Sequence, residues 1–195
     1  MRRPNDTDLA GAWIESMKPI LTSRLALREL TENDFADVFA YESDPEVVQF
    51  VSYGPYAPEE CRQDLAWHVA HQQASTRRFF HLAITLQGVD HVIGWCGLQF
   101  EEGDMQQGEI GYALHRDFWG QGIATEAARS LVGFGFTEMG IHRAWGECRP
   151  ENIGSIRVLQ KLGMIQEGYL RENRWFKGRW WDTLIFGVLE REWKE

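Results

Sequence analysis

The chain has 195 residues, 44% of them hydrophobic, which suits one domain with a real core that needs neither disulfides nor a structural metal. A formal net charge of −9 argues against general nucleic-acid binding, which requires a basic face for phosphates, and weakly favours amines or basic peptides as partners. Cys61, Cys96 and Cys148 are widely spaced, odd in number and without a CxxC pair, so neither a disulfide framework nor a zinc site is expected. No signal-like leader and no apolar run of membrane-spanning length occurs, so the expectation is a cytoplasmic protein with no membrane partner. Nine Trp and eleven Phe are a surplus that serves either a core or the lining of a pocket.

In chain order, residues 1–19 read as a polar lead-in and residues 20–195 as one domain. Leu25 and Leu27 alternate within a first strand over residues 21–30, and Thr31 to Asp34 supply an N-cap and acidic first turn for a helix to about Tyr41. A short helix is expected over residues 43–50, then a turn-rich aromatic loop through Tyr53 and Tyr56, then a helix from Pro58 to about Ser75. Three strands follow, over residues 78–85, 92–100 and 108–114, separated by Gln87-Gly88 and Glu102-Gly103-Asp104 turns that predict a meander. A helix over residues 122–138 turns Ala124, Ala127, Ala128, Leu131 and Gly135 to one face, small enough for close packing on a sheet. A strand over 143–148, a helix over 152–162 capped by Gly163, and two strands over 164–175 and 180–189 complete an α+β order with no repeat or linker.

The strand over 108–114 runs through a short link into Trp119-Gly120-Gln121-Gly122-Ile123-Ala124-Thr125, where the long helix begins. A glycine turn at a helix N-terminus leaves backbone N–H groups aimed at one point beside the positive end of the helix dipole, which suits a phosphate. A second helix start, Asn152-Ile153-Gly154-Ser155, follows some thirty residues on. By helical spacing Ser155, Val158, Leu159 and Leu162 share a face, so Ser155 is expected to point inward. Asn152 is a natural N-cap, Arg157 and Lys161 project together from another face, and Glu109 alternates onto the face of Gly111 and Ala113, where small residues leave room for a substrate.

Together the strand, the FWGQGIATEA turn, the NIGSIRVLQKLGM run and the GRWWDTLIFGVLEREW tail resemble the GNAT acyl-CoA N-acyltransferases, within them the branch of the Rim-type ribosomal-protein N-terminal acetyltransferases. Many GNAT proteins carry Arg or Gln where this chain has Trp119, and an aromatic there fits the Rim-type branch. The resemblance covers residues 21–193. It implies a mixed, mostly antiparallel sheet splayed at its centre, helices on both faces, and acetyl-CoA as co-substrate without a metal. It further implies pyrophosphate binding by the loop from Trp119 through Gly120, Gln121, Gly122, Ile123 and Ala124 to Thr125. Pantetheine is then expected beside Tyr112, Ala113 and Leu114, with the Leu114 N–H on the thioester carbonyl.

Asn152 is a candidate pantetheine ligand as well as a cap, and Ser155 a candidate general acid as well as a helix residue bonded to its own turn. Lys161, with Arg157, is a candidate contact for the 3′-phosphate or a solvated helix charge. Glu109 is the candidate base, with a structural carboxylate as the alternative, and Tyr112 a fallback acid. A covalent route through Cys148 is less attractive, since buried Cys is commonly inert. His68 and His71 lack the HExxH pattern and read as an ordinary pair; Tyr53, Tyr56 and Trp67 belong to the acceptor side or to the core.

The expected reaction is acetyl transfer to a primary amine, foremost the α-amine of a protein or peptide. A small amine or antibiotic as acceptor, another acyl-CoA as donor, and a non-catalytic CoA-binding regulator are the alternatives. The aromatic-rich C-terminal strands are a candidate homodimer edge.

Overall fold

The computed structural model describes residues 17–74 and 77–194. Most of the expected lead-in therefore lies outside the described residues. The first strand splits in two, β1 (Ile20–Leu21) and β2 (Leu25–Glu29), because Thr22 accepts the Leu25 N–H on its Oγ1 at 2.9 Å and closes a tight reversal between them. A 3₁₀ turn over Glu32–Asp34 leads into α1 (Phe35–Glu42), and Pro58 opens α2 (Pro58–His71). Strands β3 (Phe79–Leu86), β4 (Val92–Glu101) and β5 (Asp104–Leu114) form the expected meander. Helix α3 (Ile123–Thr137), β6 (Arg143–Cys148), α4 (Ile153–Lys161), β7 (Ile165–Phe176) and β8 (Arg179–Leu189) then follow.

The short helix expected over residues 43–50 does not form. Turns occupy that stretch, with Val47 and Val48 both donating to the Asp44 carbonyl. A segment of this length is marginal as a helix on local terms, as is the equally short α1, so its tertiary contacts decide the outcome. Tertiary contacts fix it instead: Val48 is buried and Phe50 sits edge-on to Trp181 at 6.1 Å.

The strands make one eight-stranded sheet of order β1-β2-β3-β4-β5-β6-β8-β7, antiparallel except for the parallel pair β5 and β6. On one face Ala127, Ala128, Leu131 and Val132 of α3 pack with Leu82, Leu98 and Ile110, and Leu159 of α4 joins the same core. On the other, Val38, Tyr41, Cys61 and Leu65 of α1 and α2 pack against Ala83 and Val92. The small-residue face expected on α3 is real: a Cβ on Gly135 would stand 2.8 Å from Ile141 and 3.1 Å from Leu98. Strand β7 is the outer edge, with Ile165, Tyr169, Leu170 and Trp175 exposed.

The sheet is incomplete at its centre. Register between β5 and β6 runs only from Gln107, Gly108 and Glu109 to Arg143, Ala144 and Trp145. Beyond Glu109 the two strands part, while β4 follows β5 as far as Leu114.

Gly94 on β4 makes that central pairing possible, because a Cβ there would lie 2.2 Å from the Ala113 carbonyl oxygen and 2.8 Å from the Leu114 Cα. Both neighbours are backbone and cannot yield cheaply. Gly94→Ala is expected to destabilise the fold by more than about 1 kcal/mol, seen as a lower urea midpoint at unchanged slope, whereas the same change at the open turn glycine Gly88 is expected to cost less.

Candidate active site

The parting of β5 from β6 leaves backbone groups facing a gap. His115 donates to the Ile93 carbonyl at 2.8 Å, and the Ala113 carbonyl lies against Gly94, so in an antiparallel ladder the odd residues of β5 bond to β4. The N–H groups of Tyr112 and Leu114 therefore point toward the missing neighbour. The Leu114 carbonyl is already taken by the Trp119 indole N–H at 2.8 Å, which leaves its N–H as the donor at that point.

The strand continues through a 3₁₀ turn (Arg116–Phe118) into the glycine loop. Gly120 at φ +73° and Gly122 at φ +77° take left-handed conformations that a side chain strains against. The first helical bond of α3 runs from Glu126 N–H to the Gly122 carbonyl at 3.0 Å, and among the described residues no protein group accepts from the N–H groups of Gly120 through Thr125. Space beside Gly120 is open, with nothing within 4 Å of where a Cβ would stand. Unpaired donors, open space and a helix N-terminus together fit a diphosphate. Three bonds hold the loop: Trp119 to Leu114, Gln121 Nε2 to the Asp117 carbonyl at 2.9 Å, and Arg24 Nη1 to the Gln121 carbonyl at 3.0 Å.

Across the gap, Asn152 caps α4 by accepting the Ser155 N–H on Oδ1 at 3.0 Å. Ser155 does not bond back to its own helix. Its Oγ lies 2.9 Å from the Tyr112 hydroxyl, which also reaches the Ser155 carbonyl at 3.2 Å, so the acid candidates Tyr112 and Ser155 form one pair. Burial raises the Tyr112 phenol above its ordinary value and keeps it protonated. The Cys148 thiol is pushed up to about 11, chiefly by burial, so at neutral pH it is no thiolate.

Glu109 projects on the other face of β5, toward α2. It borders a cavity of about 170 Å³ walled by Phe79, His81, Trp95 and His68. Burial first, then the charge of Glu147, raises its carboxyl to about 7, against the opposing pull of Arg174. Glu147 reaches this face because its neighbour Gly146 presses the opposite one, against Ile110 and Leu159. Its two oxygens meet Arg149 at 2.8 Å and Arg174 at 3.6 Å.

The room expected over Gly111 is there but narrow: Gly111 lines the cavity beside Glu109, and the Trp95 ring would stand 3.1 Å from a Cβ on it. That ring is fixed by its indole N–H, which donates to Glu42 at 3.0 Å, a carboxyl raised to about 7 mainly by burial.

The model of the "Acetyltransferase (GNAT) domain" matches residues 24–165. This chain belongs to the GNAT acetyltransferase family. An uncharacterised N-acetyltransferase, p20 of Bacillus licheniformis, is 34% identical over 178 residues, spanning 90% of this chain and 98% of that one. A GNAT-family acetyltransferase of Bacillus anthracis superposes with a TM-score of 0.80 at 28% identity, covering 90% of this chain and all of that one (100%). The ribosomal-protein-S5-alanine acetyltransferase of Vibrio fischeri shares the fold, with a TM-score of 0.75 at 20% identity over 92% of this chain and 100% of its own.

As a GNAT enzyme the chain is an acetyl-CoA-dependent N-acetyltransferase, and the acceptor is an amine. The fold brings together the loop over residues 119–125, the free edge at Tyr112 and Leu114, and the pair of Tyr112 with Ser155, while Glu109 reaches the same strand from the opposite face. Arg157 and Lys161 stand exposed on α4 without an ion pair among the described residues. His71 Nδ1 contacts the Trp67 carbonyl at 2.7 Å and its ring stacks on Trp67 at 3.8 Å, while His68 lies on His81 at 3.9 Å and borders the cavity beside Glu109. Tyr53 and Tyr56 stack at 5.2 Å, and burial beside Glu42 raises the Tyr53 phenol. Among the described residues no cluster of metal ligands occurs, and no helix is long and apolar enough to cross a membrane.

Glu42, Glu147 and Arg24 were not singled out from the sequence, since each matters through contacts far along the chain. Gly122→Asp puts a carboxylate where the donors converge and strains a left-handed position. The folded variant is expected to lose calorimetric CoA binding by at least roughly 100-fold, because like charges would meet at the loop where the donors converge.

Proposed function

We propose that the enzyme acetylates the α-amine of a peptide or protein directly, in a ternary complex with acetyl-CoA. In this reading the loop N–H groups from Gly120 to Thr125 hold the diphosphate, with Trp119 at the start of the loop. Tyr112, Ala113 and Leu114 take pantetheine along the free strand edge, with Asn152 at its end. Arg157 and Lys161 serve the 3′-phosphate. The amine nitrogen attacks the thioester carbon, the Leu114 N–H steadies the developing oxyanion, and Glu109, five residues back along β5, takes the amine proton through a chain of water molecules. As the C–S bond breaks, the sulfur takes a proton from Ser155, whose hydroxyl is backed by Tyr112.

The observation that carries the α-amine reading is the Glu109 carboxyl at about 7. An α-ammonium titrates near ~8 and a lysine near ~10.4, so this base lies about one unit below the first and more than three below the second. Each unit costs about 1.4 kcal/mol in proton transfer, which makes the lysine route roughly 3 kcal/mol harder before any desolvation. The cavity of about 170 Å³ beside Glu109 gives a first residue's side chain a place next to the reacting nitrogen.

The test is mass spectrometry on peptides with acetyl-CoA, paired with the pH dependence of turnover. The α-amine is expected to be modified and a blocked N-terminus to be inert. Turnover should fall as pH drops through about 7, where Glu109 takes up its proton and stops acting as base. Glu109→Gln should lower turnover by roughly 100-fold with little change in CoA affinity. Glu147→Gln removes the like charge and should move the acid limb to lower pH. Modification confined to lysine side chains, or to small amines alone, would contradict the α-amine assignment.

A further inference from the structure

The loop that awaits a diphosphate has an acidic residue in the first turn of its helix. Glu126 is one turn into α3, where a free carboxylate would repel an anion bound at the helix start. The fold neutralises it from a segment 102 residues away in sequence. Glu126 accepts from Thr22 Oγ1 at 2.5 Å, Ser23 Oγ at 3.2 Å, the Arg24 N–H at 3.1 Å and Arg24 Nε at 2.6 Å. The turn between β1 and β2 thereby acts as a cap on the carboxylate and aims the Arg24 side chain back at the loop. Nη1 then binds the Gln121 carbonyl at 3.0 Å, and Nη2 lies 3.7 Å from the position a Cβ would take on Gly122.

We infer that Arg24 is a diphosphate-binding residue of this enzyme, its guanidinium pre-set over the Gly120 to Gly122 turn by Glu126. A guanidinium has five N–H donors in a planar fork. Glu126 takes the Nε–Nη2 edge and the Gln121 carbonyl one N–H of Nη1, which uses three of the five donors; the side chain is 48% exposed, so one N–H on each of Nη1 and Nη2 remains for phosphate oxygens at the loop mouth. At 3.7 Å the guanidinium is in ordinary van der Waals range of the Gly122 turn. Glu126 positions the cation and does not itself touch the ligand. The inference rests on the 119–125 loop as the diphosphate site.

Calorimetry and competition binding decide it with three ligands: CoA, 3′-dephospho-CoA and S-acetylpantetheine, which has no phosphate. Arg24→Ala is expected to weaken CoA and 3′-dephospho-CoA by the same factor, roughly 10- to 100-fold, and to leave S-acetylpantetheine unchanged. Arg24→Gln, which retains amide donors for Gln121 and Glu126 but no charge, should show the same pattern and serves where the alanine variant does not fold. An equal loss for S-acetylpantetheine would reduce Arg24 to a brace of the loop. A loss seen with CoA and not with 3′-dephospho-CoA would assign it to the 3′-phosphate, and unchanged affinities would remove it from the site; each of these overturns the inference. Undiminished CoA binding by Gly122→Asp would instead overturn the loop reading itself, so the two failures are distinct.

Discussion

A backbone donor held in a protein interior without a partner costs free energy comparable to a lost hydrogen bond. β5 bears such donors in the middle of a sheet, because β6 accompanies it only as far as Glu109 and Trp145. The rest of the architecture keeps that gap from closing. Gly94 lets β4 press closely on Ala113 and Leu114, so β5 is straight and fixed on one side. On the other, Tyr112 and Ser155 join β5 to α4 across the gap at 2.9 Å. The indole of Trp119 covers the Leu114 carbonyl and leaves the N–H as the donor there. An extended ligand with its own amides is the natural partner for such an edge, as in strand addition.

The two ends of the gap have opposite character. At the C-terminal end of β5 are the glycine loop, the α3 dipole and Arg24, a cationic corner in a chain of net charge −9. Near Glu109 the surroundings are apolar, with the Trp95 ring close by and Glu147 the like charge that acts on it most. Glu147 raises the Glu109 carboxyl while Arg149 and Arg174 hold Glu147 itself in place.

What was legible in the sequence follows from the range of the forces involved. The strand over 143–148 and the helix starts at Gly122 and Asn152 rest on local signals, namely alternation, capping and glycine, and these read directly. The cofactor side was legible for the same reason, since its donors belong to one continuous strand, loop and helix. The acceptor side was not. Trp95 narrowing the space over Gly111, Glu147 biasing Glu109, and the turn over residues 22–24 neutralising Glu126 are contacts between segments that only the sheet order brings together. The turns at residues 43–50 are the converse case, where a plausible local helix yields to the burial of Val48 and the Phe50 contact with Trp181.

The central claim is that the open edge of β5 and the glycine loop form one continuous cofactor site. Amide hydrogen exchange with and without CoA tests it most directly. Exchange of Tyr112, Leu114 and the N–H groups of residues 120–125 should slow together on binding, with β3 unchanged, because those donors gain acceptors that the protein lacks. Protection confined to the loop, or appearing on another face of the sheet, would contradict the account.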